Sequence, residues 1–309
     1  MNDLEITERN TIIRANDGSL PPDAPSWTAG IDNPYLHGVY APTTVETECD
    51  ELQIVSGAIP ADLCGAYLRN GPNPVFEPKH QHHPFDGDGM LYGIYFKDGK
   101  ASYRNRWVQT EAHQREAEAG KAVWPGVMGP FDFSLEGFPI KDTSNTDLLY
   151  FNDHIMSLWY NAGIPYKLDT HTLETKGREN LNGQLKRALS AHSKVDLENG
   201  ELVFFDYFDE FPYMSYGIAD SQGNIIHQQP IELPGPRLPH DIGVTPNFVL
   251  LHDCPFFHDV ALLEKTKKRV MTFHTDMPTR FGVQPRYGEG SEVKWFECEP
   301  CYILHVVNC

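Results

Sequence analysis

Short runs of apolar or alternating residues, each followed by a cluster of turn formers, recur along most of this chain. Leu91–Phe96 precedes Lys97-Asp98-Gly99-Lys100, and Leu148–Phe151 precedes Asn152-Asp153. Val195–Leu197 and Leu202–Tyr207 flank Glu198-Asn199-Gly200, and Tyr216–Ala219 and Ile225–His227 flank Asp220-Ser221-Gln222-Gly223-Asn224. Ile242–Val244 and Phe248–His252 flank Thr245-Pro246-Asn247. Gly and Asn accept the positive φ that tight turns require, while β-branched and aromatic residues suit a pleated surface, so each unit reads as a hairpin. Because the hairpins continue over the whole length and long helical patterns are few, the pattern predicts an all-β repeat architecture. A β-propeller is preferred to a sandwich, since blades repeated around an axis leave only short strand edges. One helix is predicted at Asp259–Arg269, where Val260, Leu262 and Leu263 precede a Lys/Arg-rich end. Residues 1–45 carry scattered Pro, Asp and Asn with little periodicity, and are expected to form an extended arm on a domain running over 46–309.

Ala122–Ile140 breaks this rhythm. It is apolar and aromatic, yet Pro125, Pro130, Pro139 and several glycines exclude a regular strand or helix. The segment is expected to be an irregular loop, either packed down on the domain or serving as an entrance lip that touches a membrane or an apolar substrate.

The formal charge of −18, from 43 acidic and 25 basic residues without a dense Lys/Arg cluster, argues against a nucleic-acid partner. The opening MNDLEITERN lacks the basic start and apolar stretch of a signal peptide, and no apolar run approaches spanning length, which predicts a soluble, cytoplasmic chain. The six cysteines are too irregularly spaced for a disulfide framework. Cys298 and Cys301 form a C-x-x-C, but no second half-site completes a zinc set, so they read as strand or turn residues.

Fourteen histidines are many for 309 residues, and each needs its own argument. His80, His82 and His83 lie among Pro and Gly-Asp-Gly, a setting that suits a turn better than a metal site. His192 sits among small residues where a strand begins, His240 immediately precedes a hairpin, and His305 lies in an apolar stretch where a buried imidazole needs a partner. They are 48 and 65 residues apart, roughly a blade each for blades of about 40–50 residues. Blade-like spacing would bring all three to one axis. Neutral imidazole suits Fe, Zn, Cu and Ni alike, so these residues alone do not choose the metal.

Six motifs in order then resemble a known family: Arg69-Asn70-Gly71-Pro72-Asn73-Pro74, His83-Pro84-Phe85-Asp86-Gly87-Asp88-Gly89-Met90, Ala191-His192-Ser193-Lys194-Val195-Asp196, Pro239-His240-Asp241, Arg280-Phe281-Gly282-Val283 and Ile303-Leu304-His305. Together they are similar to the signature of the carotenoid cleavage oxygenases, which include the retinal pigment epithelium isomerase and stilbene-cleaving dioxygenases. The resemblance implies a seven-bladed propeller with Fe(II) on its axis, held by four histidines without a carboxylate ligand. O2 would take an open position beside an apolar tunnel that admits a polyene. His192, His240 and His305 match the first three ligands. The fourth lies near the C-terminus of longer chains, whereas this sequence stops at Cys309, so a partial propeller with missing C-terminal blades is expected. Where the family orients imidazoles with glutamate, the aligned residue is Asn161, an amide that accepts an N–H without contributing charge. Trp124, Phe131 and Phe133 are expected at the tunnel mouth. The implied reaction is cleavage of a double bond in a carotenoid or apocarotenoid by O2, giving two carbonyl products, with stilbene cleavage as the alternative. Two readings from other classes stand beside it: an inactive propeller fragment that binds an apolar ligand or partner, and a zinc hydrolase, which would require a carboxylate ligand.

Overall fold

The computed structural model describes residues 23–161, 163–307 and 309. β1 (Glu48–Cys49), β2 (Gly65–Asn73), β3 (Asp88–Lys97) and β4 (Lys100–Trp107) form a first sheet in the order β1-β4-β3-β2. Helix α1 (Glu111–Ala119) and the irregular segment 122–140 follow. β5 (Asp147–Phe151), β6 (His154–Leu158), β7 (Tyr166–Leu168) and β8 (Thr175–Arg178) form the second sheet, side by side in chain order. The third is built likewise from β9 (Lys194–Val195), β10 (Leu202–Tyr207), β11 (Met214–Ala219) and β12 (Ile225–Ile231). The fourth begins with β13 (Gly243–Val244) and β14 (Phe248–Asp253). The chain then leaves it for a two-stranded excursion, β15 (Phe256–His258) and β16 (Met271–Phe273), which encloses helix α2 (Val260–Thr266). β17 (Thr279–Pro285) and β18 (Lys294–Cys298) complete the fourth sheet. All of these strand pairings are antiparallel.

The hairpins fall where the turn residues predict them. Asp98 and Gly99, with φ of 52° and 73°, join β3 to β4, and Asn152 and Asp153, at 48° and 61°, join β5 to β6. Two successive positive φ values match the twist of the flanking strands. β9 is shorter than the apolar run suggests, because Leu197 is 93% exposed in the following turn. The predicted helix is also shorter. The Asp259 side chain accepts from Leu262 N–H as its cap, and the helix ends at Thr266 because Lys267 turns left-handed at φ 61°. α1 was not anticipated; Thr110 caps it by accepting from His113 N–H, and Gly120 ends it at φ 63°. Of the expected arm, residues 23–45 contain single-turn 3-10 helices at Ser26–Gly30, Pro34–Leu36 and Gly38–Tyr40. Asn33 fastens this stretch by donating to the His82 carbonyl, and Asn73 exchanges hydrogen bonds with the backbone of Thr43. Residues 1–22 lie outside the described residues.

Successive sheets pack face to face, and period-2 alternation lets one strand serve two neighbours. In β10, Leu202 and Phe204 pack with Phe151, Met156 and Leu158 of the second sheet, while Val203, Phe205 and Tyr207 pack with Val249 and Leu251 of the fourth. Leu91 of the first sheet meets Ile155 and Leu168 of the second in the same way. The edge strands follow suit: β5 lies against both β2 and β9. Among the described residues no helix is long and apolar enough to cross a membrane.

Candidate metal centre

His192 stands two residues before β9 and His240 three before β13, the edge strands of the third and fourth sheets. His305 follows β18 in a stretch without strand or helix. The three rings converge. Centroid separations are 4.8 Å for His192–His240, 4.6 Å for His192–His305 and 5.3 Å for His240–His305. One ligand atom from each lies within 4.8 Å of the others, and this is the only such group among the described residues. His192 reaches the cluster from a left-handed backbone, φ 64°, a conformation uncommon for a side-chain-bearing residue.

The electrostatics prepare these imidazoles to donate lone pairs. His192 Nδ1 lies 3.1 Å from Asp147 Oδ2, and the same oxygen accepts the His192 backbone N–H at 3.0 Å. An ionised carboxylate only accepts, so Nδ1 carries the proton and Nε2 is left with its lone pair. Nε2 is buried and has no hydrogen-bond partner, a fit for a metal ion. Burial pushes the Asp147 carboxyl up, but the His192 hydrogen bond and neighbouring backbone donors outweigh it and hold the group below its ordinary range. Burial, reinforced by His192 and His305, drives His240 down to about 3. Burial and His192 lower His305 as well. Neutral rings are the ligating form.

Sequence reasoning missed the residues that hold the arms together. Buried Asp241 accepts from Lys194 Nζ at 2.7 Å through Oδ1 and from Val306 N–H at 2.8 Å through Oδ2. One carboxylate, next to His240, thereby ties the segments that carry His192 and His305. Asp147 was missed too, although a signal existed: it opens β5, the edge strand of the second sheet, 45 residues before His192.

The remaining candidates lie elsewhere. Asn161 is not the hydrogen-bond partner found at these imidazoles; its Oδ1 accepts from Arg269 at 3.2 Å, and Asp147 serves His192 instead. Phe131 and Phe133 line a cavity of about 220 Å³ together with Phe138, Asn161, Phe257 and Arg269. Phe131 is buried and Phe133 half exposed. Trp124 is buried outside that cavity, its indole N–H donating to the Phe138 carbonyl. The 122–140 segment is thus irregular as expected, with Trp124 and Phe131 packed down and Met128, Phe133 and Phe138 outward. His83 caps a 3-10 turn at Pro84–Asp86, His82 is buried, and neither joins a metal-like cluster.

Comparison with known proteins places this geometry. The carotenoid 9,10(9′,10′)-cleavage dioxygenase 1 of Arabidopsis thaliana is 31% identical over 325 residues, 99% of this chain and 58% of that protein. The isoeugenol monooxygenase of Pseudomonas nitroreducens is 32% identical over 283 residues, 90% of this chain and 58% of the relative. Among solved structures, the lignostilbene dioxygenase of Pseudomonas brassicacearum superposes with a TM-score of 0.77 at 29% identity, over 86% of this chain and 56% of that one. The chain spans 58% of the length of these curated relatives. The retinal pigment epithelial membrane protein family matches residues 40–309, and the chain belongs to that family.

Proposed function

We propose that this protein contributes the His192, His240 and His305 ligands of a non-haem Fe(II) oxygenase that cleaves a carbon–carbon double bond of a carotenoid or apocarotenoid. The observation that carries this reading is the convergence of three imidazoles without a carboxylate in the cluster. Bound Fe(II) supplies the redox chemistry that makes O2 reactive toward an electron-rich alkene. The chain's own residues do the rest. Asp147 holds the proton on His192 Nδ1, leaving the Nε2 lone pair free to hold the ion. Burial keeps His240 unprotonated across the physiological range. Asp241 fixes the two neighbouring arms. The aromatic cavity walled by Phe131 and Phe257, whose lining includes none of the three histidines, would shield an apolar substrate from water. In the same proposal residues 46–309 are a partial propeller whose four sheets are blades of a seven-bladed ring, and a fourth imidazole completes the ligand set. The protein works in the cytoplasm, and Met128, Phe133 and Phe138 give it peripheral contact with the membranes where carotenoids reside.

A second reading, cleavage of a phenolic alkene such as a stilbene, draws on one observation. The aromatic cavity is small, and its wall includes Arg269, whose Nε is buried and unpartnered. An oxygenated substrate end would satisfy that donor. The test is iron per chain, with product formation from β-carotene, an apocarotenal, isoeugenol and lignostilbene under air and under argon. Iron binding with air-dependent carbonyl products supports the oxygenase, and the preferred substrate separates the two readings. Zinc in place of iron, or turnover that persists under argon, would refute both.

A further inference from the structure

The fold assembles a pair of thiols that the metal centre does not use. Cys298 ends β18, Cys301 lies in the turn beyond it, and both are exposed. Cys298 Sγ donates to the Glu299 carbonyl inside that turn at 3.4 Å. The turn is anchored at one point: Thr279 Oγ1 accepts from Cys301 N–H and donates to the Cys301 carbonyl, both at 2.8 Å. From there the chain runs without regular structure to His305, with the Tyr302 ring edge-on to Phe256 at 4.6 Å and Val306 N–H held by Asp241. Cys254 contrasts with this pair. It is buried, out of reach of an oxidant in solution.

We propose that Cys298 and Cys301 are a reversible redox pair whose disulfide closes the turn at the root of the His305 arm. The oxidant is a small-molecule disulfide. One protein thiolate attacks it, forming a mixed disulfide and releasing one thiolate that takes up a proton. The second cysteine loses its proton, attacks the protein sulfur of that mixed disulfide and expels the other small thiolate. Two protein thiols are oxidised, and one disulfide is reduced to two thiols. Placement of both cysteines three residues apart in one turn makes the second attack intramolecular. The closed turn pre-organises His305, so the oxidised protein holds a divalent metal more tightly. That consequence rests on the metal reading above, whereas the thiol chemistry does not.

The test treats the full chain with oxidised glutathione, counts maleimide-reactive thiols, locates the modified peptides and then adds dithiothreitol. Loss of both labels on the Cys298–Cys301 peptide, restored by reductant and absent in Cys298→Ser, is expected. In a cobalt(II) titration the oxidised chain should show a several-fold lower Kd, with no redox effect in Cys298→Ser. An unchanged thiol count, or a disulfide mapped to another pair, would overturn the redox pair. A disulfide that leaves cobalt affinity unaltered would overturn its link to the His305 arm. Absence of cobalt binding in both states would overturn the metal reading and that link with it, while leaving the thiol result standing.

Discussion

An ionised carboxylate can only accept a hydrogen bond, so Asp147 decides which nitrogen of His192 keeps a lone pair free for a metal. Replacing Asp147 by Asn should therefore weaken iron or cobalt binding about 10–100-fold without unfolding the chain, as read by metal titration beside circular dichroism. A second residue, His82, makes stability depend on pH. Burial, with a smaller push from His83, lowers it to about 4. The unfolded chain takes up that proton near pH 6.5, so its contribution is fully present above 6.5 and is lost as pH falls towards 4. The loss amounts to at most about 3 kcal/mol, lessened by the water that still reaches the ring. Urea unfolding at a series of pH values should show this slope, and His82→Gln should flatten it. At this scale the three histidines were legible because blade-like spacing singles them out. Asp147 and Asp241 were not, because their partners lie 45 and 65 residues away in the chain. Asn161 misled because position beside an aligned motif says nothing about where an amide points.

Hairpins were the most legible elements, since turns such as Asn152-Asp153 state their own geometry. α1 was overlooked for a physical reason. Its sequence, EAHQREAEA, has no apolar stripe, and only Ala112 and Glu116 are buried, so its evidence lay in the flanking Thr110 and Gly120. The 122–140 segment could be read as irregular but not as divided, because composition does not tell which aromatic rings turn inward. The division gives a prediction. Trp124→Ala and Phe131→Ala should each destabilise the fold by about 3–5 kcal/mol, whereas Phe133→Ser should change stability by less than about 0.5 kcal/mol. The same Phe133→Ser substitution should reduce binding to phosphatidylcholine vesicles. Equal destabilisation by all three in chemical denaturation would show that the segment packs as a single layer.

At the scale of the molecule, three ligand arms enter from separate parts of the sequence, and a metal that binds only their folded arrangement must stabilise the whole. Cobalt(II) at one hundred times its Kd should add about 2.7 kcal/mol, seen as a rise in Tm that His240→Ala abolishes. Antiparallel repetition was visible in the sequence from hairpin recurrence. The face-to-face packing through β10 was not, because a strand buried on both sides shows no polar alternation. The His305 arm also bears on the order of events during synthesis. Asp241 emerges from the ribosome with His240 and at once has Lys194 to grip, but its other oxygen waits 65 residues for Val306. At about 5–20 residues per second that interval lasts several seconds, time for the first three sheets and β13–β14 to pack beforehand. On the proposed reading, a metal would then close a nascent chain already shaped around its site, and a cell short of iron would accumulate folded, unsealed protein rather than unfolded chains.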